Sequence, residues 1–207
     1  MVCFPLFVDL NDKTALVVGG GPVAARKARV LLDYGPRVLV CAPRVVPELE
    51  QLSGAELRRP PVGPELLAGG SLAVAATDDR VLNRTVAQLC RKRAIPVNVA
   101  DSREESTFLF PAVVRRGRLS VGISTGGASP AAAAYVRRTL EGQLPASLEP
   151  ILDWLEDQRE AGRDALPPSQ RRRWFSRLLS AALEKGRPLT SGETESLLRQ
   201  FCEEVLP

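Results

Sequence analysis

Histidine is absent from this sequence of 207 residues. Its absence excludes Ser-His-Asp and Cys-His catalysis, because both mechanisms need an imidazole that accepts and returns a proton. Any acid–base chemistry must therefore come from carboxylates, lysine, tyrosine or cysteine.

Clustered cysteines are also lacking. The four cysteines are Cys3, Cys41, Cys90 and Cys202, and no two of them form a CxxC pair. A structural zinc site needs clustered Cys or His ligands, so we expect no metal site. The cysteines are interpreted as reduced thiols, most of them buried in the core.

Long hydrophobic runs are missing as well. No apolar run reaches the roughly 18–20 residues that a membrane-spanning helix needs. The apolar start, Met1–Leu10, contains Asp9 and has neither a basic beginning nor a small-residue cleavage site. It does not have the pattern of a signal peptide, so we expect a cytoplasmic protein that does not enter the membrane.

The charge balance is mildly basic, with a formal net charge of +4. Such a balance suits an anionic small molecule but does not require one. The basic run Arg171–Arg173 lies within an amphipathic helical pattern that includes Trp174 and Leu178. We interpret it as a solvated helix face rather than a phosphate-binding patch, and expect no nucleic-acid partner.

The first hundred residues alternate between strand and helix patterns. Strand-like apolar runs cover Thr14–Val18, Arg37–Cys41, Glu56–Arg59, Leu72–Ala76 and Ile95–Val99. Helical patterns cover Pro22–Tyr34 and the stretch after Asp79 as far as about Arg93. This alternation with short loops predicts an α/β fold in which helices cover a parallel sheet.

The pattern changes after Asp101. Phe108–Arg115 and Arg118–Ser124 are predicted to be two strands, and Ser129 with Pro130 is a typical start for the Ala-rich helix that follows. The rest of the chain is predicted to be helical over about 148–161, 168–185 and 191–206. Gly186 is a predicted helix stop, and Thr190 with Glu193 forms a capping box. We therefore divide the chain into residues 1–107, 108–145 and 146–207.

A glycine-rich corner follows the first predicted strand. Gly19, Gly21 and Ala24 match the G-x-G-x-x-G/A fingerprint of dinucleotide-binding Rossmann folds. The first glycine permits a tight turn, the second lets the backbone approach a pyrophosphate, and the small third residue lets helix and sheet pack closely. Free N–H groups at the helix start favour an anion. We predict that Gly19, Gly20, Gly21, Pro22 and Val23 bind a nucleotide; the alternative is a glycine-rich turn without a ligand.

The acidic residue that usually holds the ribose of NAD is missing after the second strand. That position reads Ala42-Pro43-Arg44. Backbone groups of Ala42 and Pro43 can contact the ribose, whereas Arg44 can equally contact a 2′-phosphate, so NAD and NADP both remain open. After the fourth strand, Thr77 and Asp78 are predicted to contact the nucleotide. A plain N-cap role for Asp78 or Asp79 is the alternative.

Several motifs occur together in this order. They are Pro5-Leu6-Phe7, Val18-Gly-Gly-Gly21-Pro-Val-Ala24-Ala-Arg26-Lys27-Ala28-Arg29, Ala75-Ala-Thr77-Asp78-Asp79, Leu82-Asn83, Asn98-Val-Ala-Asp101, Phe108-x-x-Pro111 and Ser124-Thr-Gly126-Gly127-Ala-Ser129-Pro130. With them the sequence resembles the precorrin-2 dehydrogenases, which form the N-terminal half of bifunctional sirohaem synthases. The resemblance covers roughly residues 3–145.

The resemblance implies a Rossmann domain, a small α+β dimerisation region around Phe108–Leu140 and a helical C-terminal domain. It implies a homodimer that uses NAD to oxidise the tetrapyrrole precorrin-2 to sirohydrochlorin. The family's catalytic carboxylate falls on Asp101, and a serine near the substrate falls on Thr125, beside Ser124. Predicted substrate contacts are Ser124, Thr125, Gly126, Ser129 and Arg115.

The residues support a role for Asp101 independently. It follows a strand at the carboxyl edge of the predicted sheet, where ligands bind, and a carboxylate is the natural proton acceptor in a chain without histidine. The alternative for Asp101 is a turn or capping role. Two rival functions remain: an added ferrochelatase activity, and a nucleotide sensor without catalysis.

Overall fold

A computed structural model describes residues 3–59, 62 and 65–205 of the chain. The chain forms two compact units. The first consists of Met1–Phe110 with Gly126–Ala128, and the second of Pro111–Thr125 with Ser129–Pro207. The division into three parts that the sequence predicts is finer than this one and stays a prediction.

The first unit is built on a five-stranded parallel sheet. Its strands are β1 (Thr14–Val18), β2 (Arg37–Cys41), β3 (Ala55–Arg58), β4 (Gly70–Ala75) and β5 (Val97–Val99), in the order β3-β2-β1-β4-β5. Its helices are α1 (Pro22–Leu32), α2 (Pro47–Glu50) and α3 (Arg80–Lys92). The predicted α/β fold of the Rossmann type is therefore confirmed.

Helices cover both faces of this sheet. Alternate residues of the central strand β1 point to opposite faces, so Ala15 and Val17 pack on α1 and α2, while Leu16 and Val18 pack on the α3 side. All four side chains are buried, as expected for a parallel strand with a helix layer on each side. The carboxyl ends of the strands are thereby held in a rigid frame.

The second unit combines a hairpin with four helices. Strands β6 (Ala112–Arg116) and β7 (Leu119–Ile123) pair antiparallel, and the helices are α4 (Pro130–Gln143), α5 (Leu148–Ala165), α6 (Pro168–Lys185) and α7 (Ser191–Val205). Helix α4 packs on the hairpin, and α6 contacts both α5 and α7. No helix in the described part of the chain has the length and apolar character needed to cross a membrane.

Helix ends in the second unit follow the sequence signals. Gly186 ends α6 in the left-handed region, with φ of 65°. In the capping box, the N–H of Thr190 donates to Glu193 Oε2 at 2.8 Å and the N–H of Glu193 donates to Thr190 Oγ1 at 3.4 Å. Both predictions are confirmed. Residue 206, the predicted end of the last helix, lies outside the described residues.

Some predicted boundaries were wrong, and proline explains three of them. Pro96 and Pro111 have no N–H for a strand ladder, so β5 begins at Val97 rather than Ile95 and β6 begins at Ala112 rather than Phe108. Helix α5 continues to Ala165, beyond 161, and ends where Pro167 favours an extended Leu166. The short helix α2 was not predicted.

Candidate dinucleotide and catalytic site

The loops at the carboxyl ends of four strands meet at one edge of the sheet. The register pairs Val18 with both Cys41 and Ala75, and Ala75 with Val99. The segments that follow these strands are Gly19–Gly21, Ala42–Arg44, Thr77–Asp79 and Ala100–Ser102. Strands β2 and β3 lie on one side of β1, whereas β4 and β5 lie on the other side, so the direction of the strand order reverses at β1. Open α/β sheets bind ligands at such a switch point.

The glycine corner is required partly by the protein's own packing. Gly19 has φ of 131°, which residues with a Cβ rarely adopt, and a Cβ on it would collide with the carbonyl oxygen of Ala76. A Cβ on Gly20 would collide with the carbonyl oxygen of Arg44. At Gly21, in contrast, no atom lies within 4 Å of the added Cβ. The open space needed for a ligand is therefore found at Gly21.

Helix α1 begins directly at this open position. Gly21 is its N-cap residue and Pro22 its first residue, as predicted. The N–H of Ala25 donates to the Gly21 carbonyl at 3.0 Å. The N–H groups of Val23 and Ala24 precede that bond, so they have no acceptor one turn back in the helix. Such a helix start, with its positive dipole end, favours a pyrophosphate.

The loop after β2 offers carbonyls and one cation. The N–H of Ala42 already donates to the carbonyl of Arg58 at 3.2 Å, and Pro43 has no N–H. The Arg44 side chain is exposed. Ribose hydroxyls can therefore donate to backbone carbonyls here, while the guanidinium suits a 2′-phosphate. These groups do not by themselves distinguish NAD from NADP.

The loop after β4 shows which of the two aspartates caps the helix, a role that the sequence offered as the alternative for both. Asp79 is the N-cap of α3, and its Oδ1 accepts from the N–H groups of Val81 at 2.8 Å and Leu82 at 3.1 Å. The side chain of Asp78 is exposed and does not cap the helix. Asp78 therefore has no capping role, and its contact with the nucleotide stays a prediction.

Asn83 holds this loop in place, and sequence analysis gave it no role. Its buried Oδ1 accepts from the N–H of Thr77 at 3.1 Å and from Thr77 Oγ1 at 2.7 Å, and its Nδ2 donates to the Thr77 carbonyl at 2.9 Å. A buried amide with three such bonds fixes Thr77 firmly, because leaving any of these groups unpaired would be costly.

Asp101 lies in a tight turn just after β5, and its side chain is exposed. Its φ of 62° falls in the left-handed region, which aspartate tolerates better than most residues but still at some cost. The N–H of Ser102 donates to the Val99 carbonyl at 3.3 Å. Ser106 Oγ accepts from the N–H of Val99 and donates to the carbonyl of Ser102. The structure thus places an exposed carboxylate, on a turn fixed by hydrogen bonds, at the same sheet edge as the glycine corner.

Lys27 contacts Asn98 and Phe110 in this unit, and the sequence analysis gave none of the three a role. Lys27 Nζ donates to Asn98 Oδ1 at 2.8 Å and lies 4.2 Å from the ring centroid of Phe110. Burial, and secondarily the charge of Arg26, lowers the pKa of Lys27 to about 8, while Asp101 acts in the opposite direction. A signal was present in the sequence, since Asn98 is a polar residue between two valines of a buried strand.

In the second unit, two predicted substrate residues also shape the turn before α4. Thr125 Oγ1 accepts from the N–H of Ser129 and donates to its carbonyl, both at 3.1 Å. Ser129 Oγ accepts from the N–H of Ala132 at 3.1 Å, which confirms it as the N-cap. The other predicted substrate residues are Arg115, which is exposed on β6, Ser124, which is exposed after β7, and Gly126, whose φ is 63° and which belongs to the first unit.

Comparisons with known families agree with this geometry. Residues 6–112 match the family described as "Putative NAD(P)-binding", which is about half of the chain. Residues 116–143 match the family described as "Sirohaem biosynthesis protein central". Both matches fall in the part of the sequence that carries the motifs.

Individual relatives point the same way. The siroheme synthase of Thioalkalivibrio sulfidiphilus is 37% identical over 98% of this chain, and that of Chromobacterium violaceum is 41% identical over 84% of it. The chain spans only 42% and 38% of those two proteins. The solved structure titled "SirC, precorrin-2 dehydrogenase" has a TM-score of 0.77 and 28% identity, covering 97% of this chain and 100% of that one. The resemblance stated from the sequence is confirmed.

Proposed function

Since this chain belongs to the NAD(P)-binding family, we propose that it oxidises precorrin-2 to sirohydrochlorin with NAD as the hydride acceptor. The similarity to siroheme synthases and to a precorrin-2 dehydrogenase supports this reaction. The observation that carries the proposal is the open space at Gly21, on the same sheet edge as the exposed carboxylate of Asp101.

The glycine corner and the neighbouring loops hold the cofactor in this proposal. Gly19, Gly20, Gly21, Pro22 and Val23 seat the pyrophosphate at the start of α1. The remaining contacts come from Ala42, Pro43, Arg44, Thr77 and Asp78. NAD supplies the hydride acceptor, and the chain supplies position and electrostatics.

Asp101 accepts the proton that precorrin-2 loses, while the hydride leaves for the cofactor. The Asp101 carboxylate suits this task because it is exposed to solvent and because the Ser106 hydrogen bonds keep its turn fixed. The homodimer, the cytoplasmic location and the substrate contacts of Arg115, Ser124, Thr125, Gly126 and Ser129 stay predictions. An added ferrochelatase activity stays the alternative.

The direct experiment is anaerobic incubation of the protein with precorrin-2 and NAD, followed by the absorbance of NADH and of the tetrapyrrole. We expect one NADH for each precorrin-2 consumed, and a parallel reaction with NADP measures the cofactor preference. Tight NAD binding without NADH formation would reject the dehydrogenase and favour the nucleotide sensor.

The role of Asp101 is tested with Asp101→Asn. Asparagine also tolerates a positive φ, so the turn should persist while the proton acceptor is lost. We expect turnover to fall on the order of 10²- to 10⁴-fold with NAD affinity unchanged. Asp12→Asn is the matched control, because Asp12 also has a positive φ, 56°, but precedes β1 at the opposite end of the strand. Near-normal turnover of Asp101→Asn would remove the residue from catalysis.

A further inference from the structure

Lys27 reaches from the middle of α1 to the far strand of the sheet. Its Nζ donates to Asn98 Oδ1 at 2.8 Å, and Asn98 is itself fixed because its Nδ2 donates to the carbonyl of Phe108 at 3.1 Å. The ammonium also lies 4.2 Å from the centroid of the Phe110 ring, a cation–π distance. Asn98 of β5 and Phe110 of the segment after β5 thus both contact the ammonium of Lys27, which belongs to α1.

Holding this charge is unfavourable for the protein. Lys27 is half-buried, and loss of hydration is the largest influence on its ammonium. Two charged groups also act on it: Arg26, next to it on α1, disfavours the ammonium, and Asp101, in the turn after β5, favours it. The pKa of about 8 that results leaves the group mostly charged at neutral pH. Strongly perturbed titratable groups beside a ligand site are candidates for function.

We propose that Lys27 is a positioning residue that acts through Asp101: Asn98 and Phe110 hold its ammonium as a fixed positive charge against β5, the strand that leads directly into the turn carrying Asp101. The fixed charge orients the Asp101 carboxylate as the proton acceptor. This inference rests on the proposed function and adds to it a residue that does not itself exchange a proton with the substrate. It predicts that turnover depends on the charge of Lys27 rather than on its shape.

The coupling between Lys27 and Asp101 can be measured without any substrate. The chain has four lysines, so ¹³C-lysine labelling gives four ε-carbon signals, and the signal that disappears in Lys27→Arg belongs to Lys27. We expect this signal to titrate near pH 8. Its midpoint should fall in Asp101→Asn, which removes a negative charge, and rise in Arg26→Gln, which removes a positive one. A midpoint that Asp101→Asn leaves unchanged would overturn the proposal.

Turnover as a function of pH tests the catalytic consequence. The kcat of the wild type should fall as pH rises through about 8, where Lys27 loses its charge. Lys27→Arg keeps a positive charge at every accessible pH, so it should retain turnover and lack this fall. Lys27→Met, which has similar length and no charge, should lose turnover by about tenfold to a hundredfold at neutral pH, with the KM for precorrin-2 unchanged.

Controls separate this role from a structural one. Arg29→Met removes an exposed charge from the same helix and should leave kcat and its pH profile unchanged. Thermal unfolding and NAD affinity of each Lys27 variant confirm an intact fold. In the Asp101→Asn background, Lys27→Met should cause no further loss, because the two residues act as one unit.

Two kinetic outcomes would overturn the proposal. A higher KM with unchanged kcat in Lys27→Met would make Lys27 a substrate-binding group, and a further loss in the Asp101→Asn background would make its role independent of the carboxylate. Failure of the wild type to oxidise precorrin-2 would instead overturn the proposed function. In that case the NMR titration still decides whether Lys27 and Asp101 are coupled.

Discussion

The parallel sheet and the three C-terminal helices are stabilised in different ways. Among the described residues, the two buried polar side chains are Asn83 and Asn98, and both belong to the sheet unit. Backbone close approaches at Gly19 and Gly20 add further constraints there. At these four positions the contacts depend on the particular residue present, in addition to the apolar packing on both faces of the sheet.

Apolar packing dominates in helices α5 to α7. Their core contains Ile151, Trp174, Leu178 and Phe201, with the rings of Trp174 and Phe201 5.4 Å apart. Ion pairs such as Arg177 with Glu204 lie at the surface, where water screens them. Any set of apolar residues with the right volume could serve here, because hydrophobic burial is not directional. Functional constraint is therefore expected to concentrate in the sheet unit.

The largest effect on stability is expected in the helices. Leu178→Ala removes a fully buried side chain and should cost roughly 2–5 kcal/mol of unfolding free energy. Leu183→Ala, on the same helix but 42% exposed, is the matched control and should cost far less. Both tryptophans, Trp154 and Trp174, lie in α5 and α6, so tryptophan fluorescence in urea follows this part of the molecule. NAD affinity should be unchanged, because the predicted cofactor contacts all belong to the first unit, and a loss of affinity would contradict this expectation.

In the sheet unit, neighbouring glycines should behave differently. Gly20→Ala forces the backbone away from the Arg44 carbonyl and should lower the unfolding free energy by about 1–3 kcal/mol or more. It should also weaken NAD binding. Gly21→Ala meets no atom of the chain and should cost under about 1 kcal/mol, mainly through the N-cap. Circular dichroism in urea and calorimetric titration with NAD measure the two effects. Equal stability of both variants would mean that the corner can relax.

Local signals explain why much of the fold could be predicted. The glycine corner, Pro22, Ser129 and Gly186 each act within one turn of the chain, so their effects can be inferred from nearby residues. The apolar runs of β1 and β2 likewise mark buried strands directly. The position of Asp101 followed from the same reasoning, since the strands of a parallel sheet have their carboxyl ends at the same edge.

Long-range assembly explains what could not be predicted. Lys27 and Asn98 are 71 residues apart, and no local pattern specifies that α1 faces β5 at that point. Asn83 bonds to Thr77 across the start of α3, where Asp79 is the N-cap, and the sequence alone did not choose between Asp78 and Asp79 for that position. Side-chain contacts of this kind depend on the packed structure, whereas secondary structure depends mainly on sequence neighbours.

A smaller effect should distinguish the two aspartates after β4. Asp79→Ala removes the N-cap of α3 and should cost about 1 kcal/mol of stability. Asp78→Ala should leave stability nearly unchanged and weaken NAD binding, because its side chain is not used by the helix. Urea unfolding and calorimetry on the two variants test this. If Asp78→Ala leaves NAD affinity intact, Asp78 must be removed from the cofactor site.

The smallest effect is expected at the exposed ion-pair cluster before α7. Arg187, the N–H of Thr190 and Lys185 hold the pKa of Glu193 well below its ordinary value of 4.5. A lowered folded-state pKa stabilises the fold at pH values above 4.5, and this stabilisation is lost as the pH falls toward the folded-state value. The difference in Tm between the wild type and Glu193→Gln, followed by tryptophan fluorescence, should therefore be largest at neutral pH. It should shrink with acid and with salt, because the cluster is exposed. Glu195→Gln on the same helix is the control, and a difference that persists in acid would show that glutamine disrupts the cap itself rather than its charge.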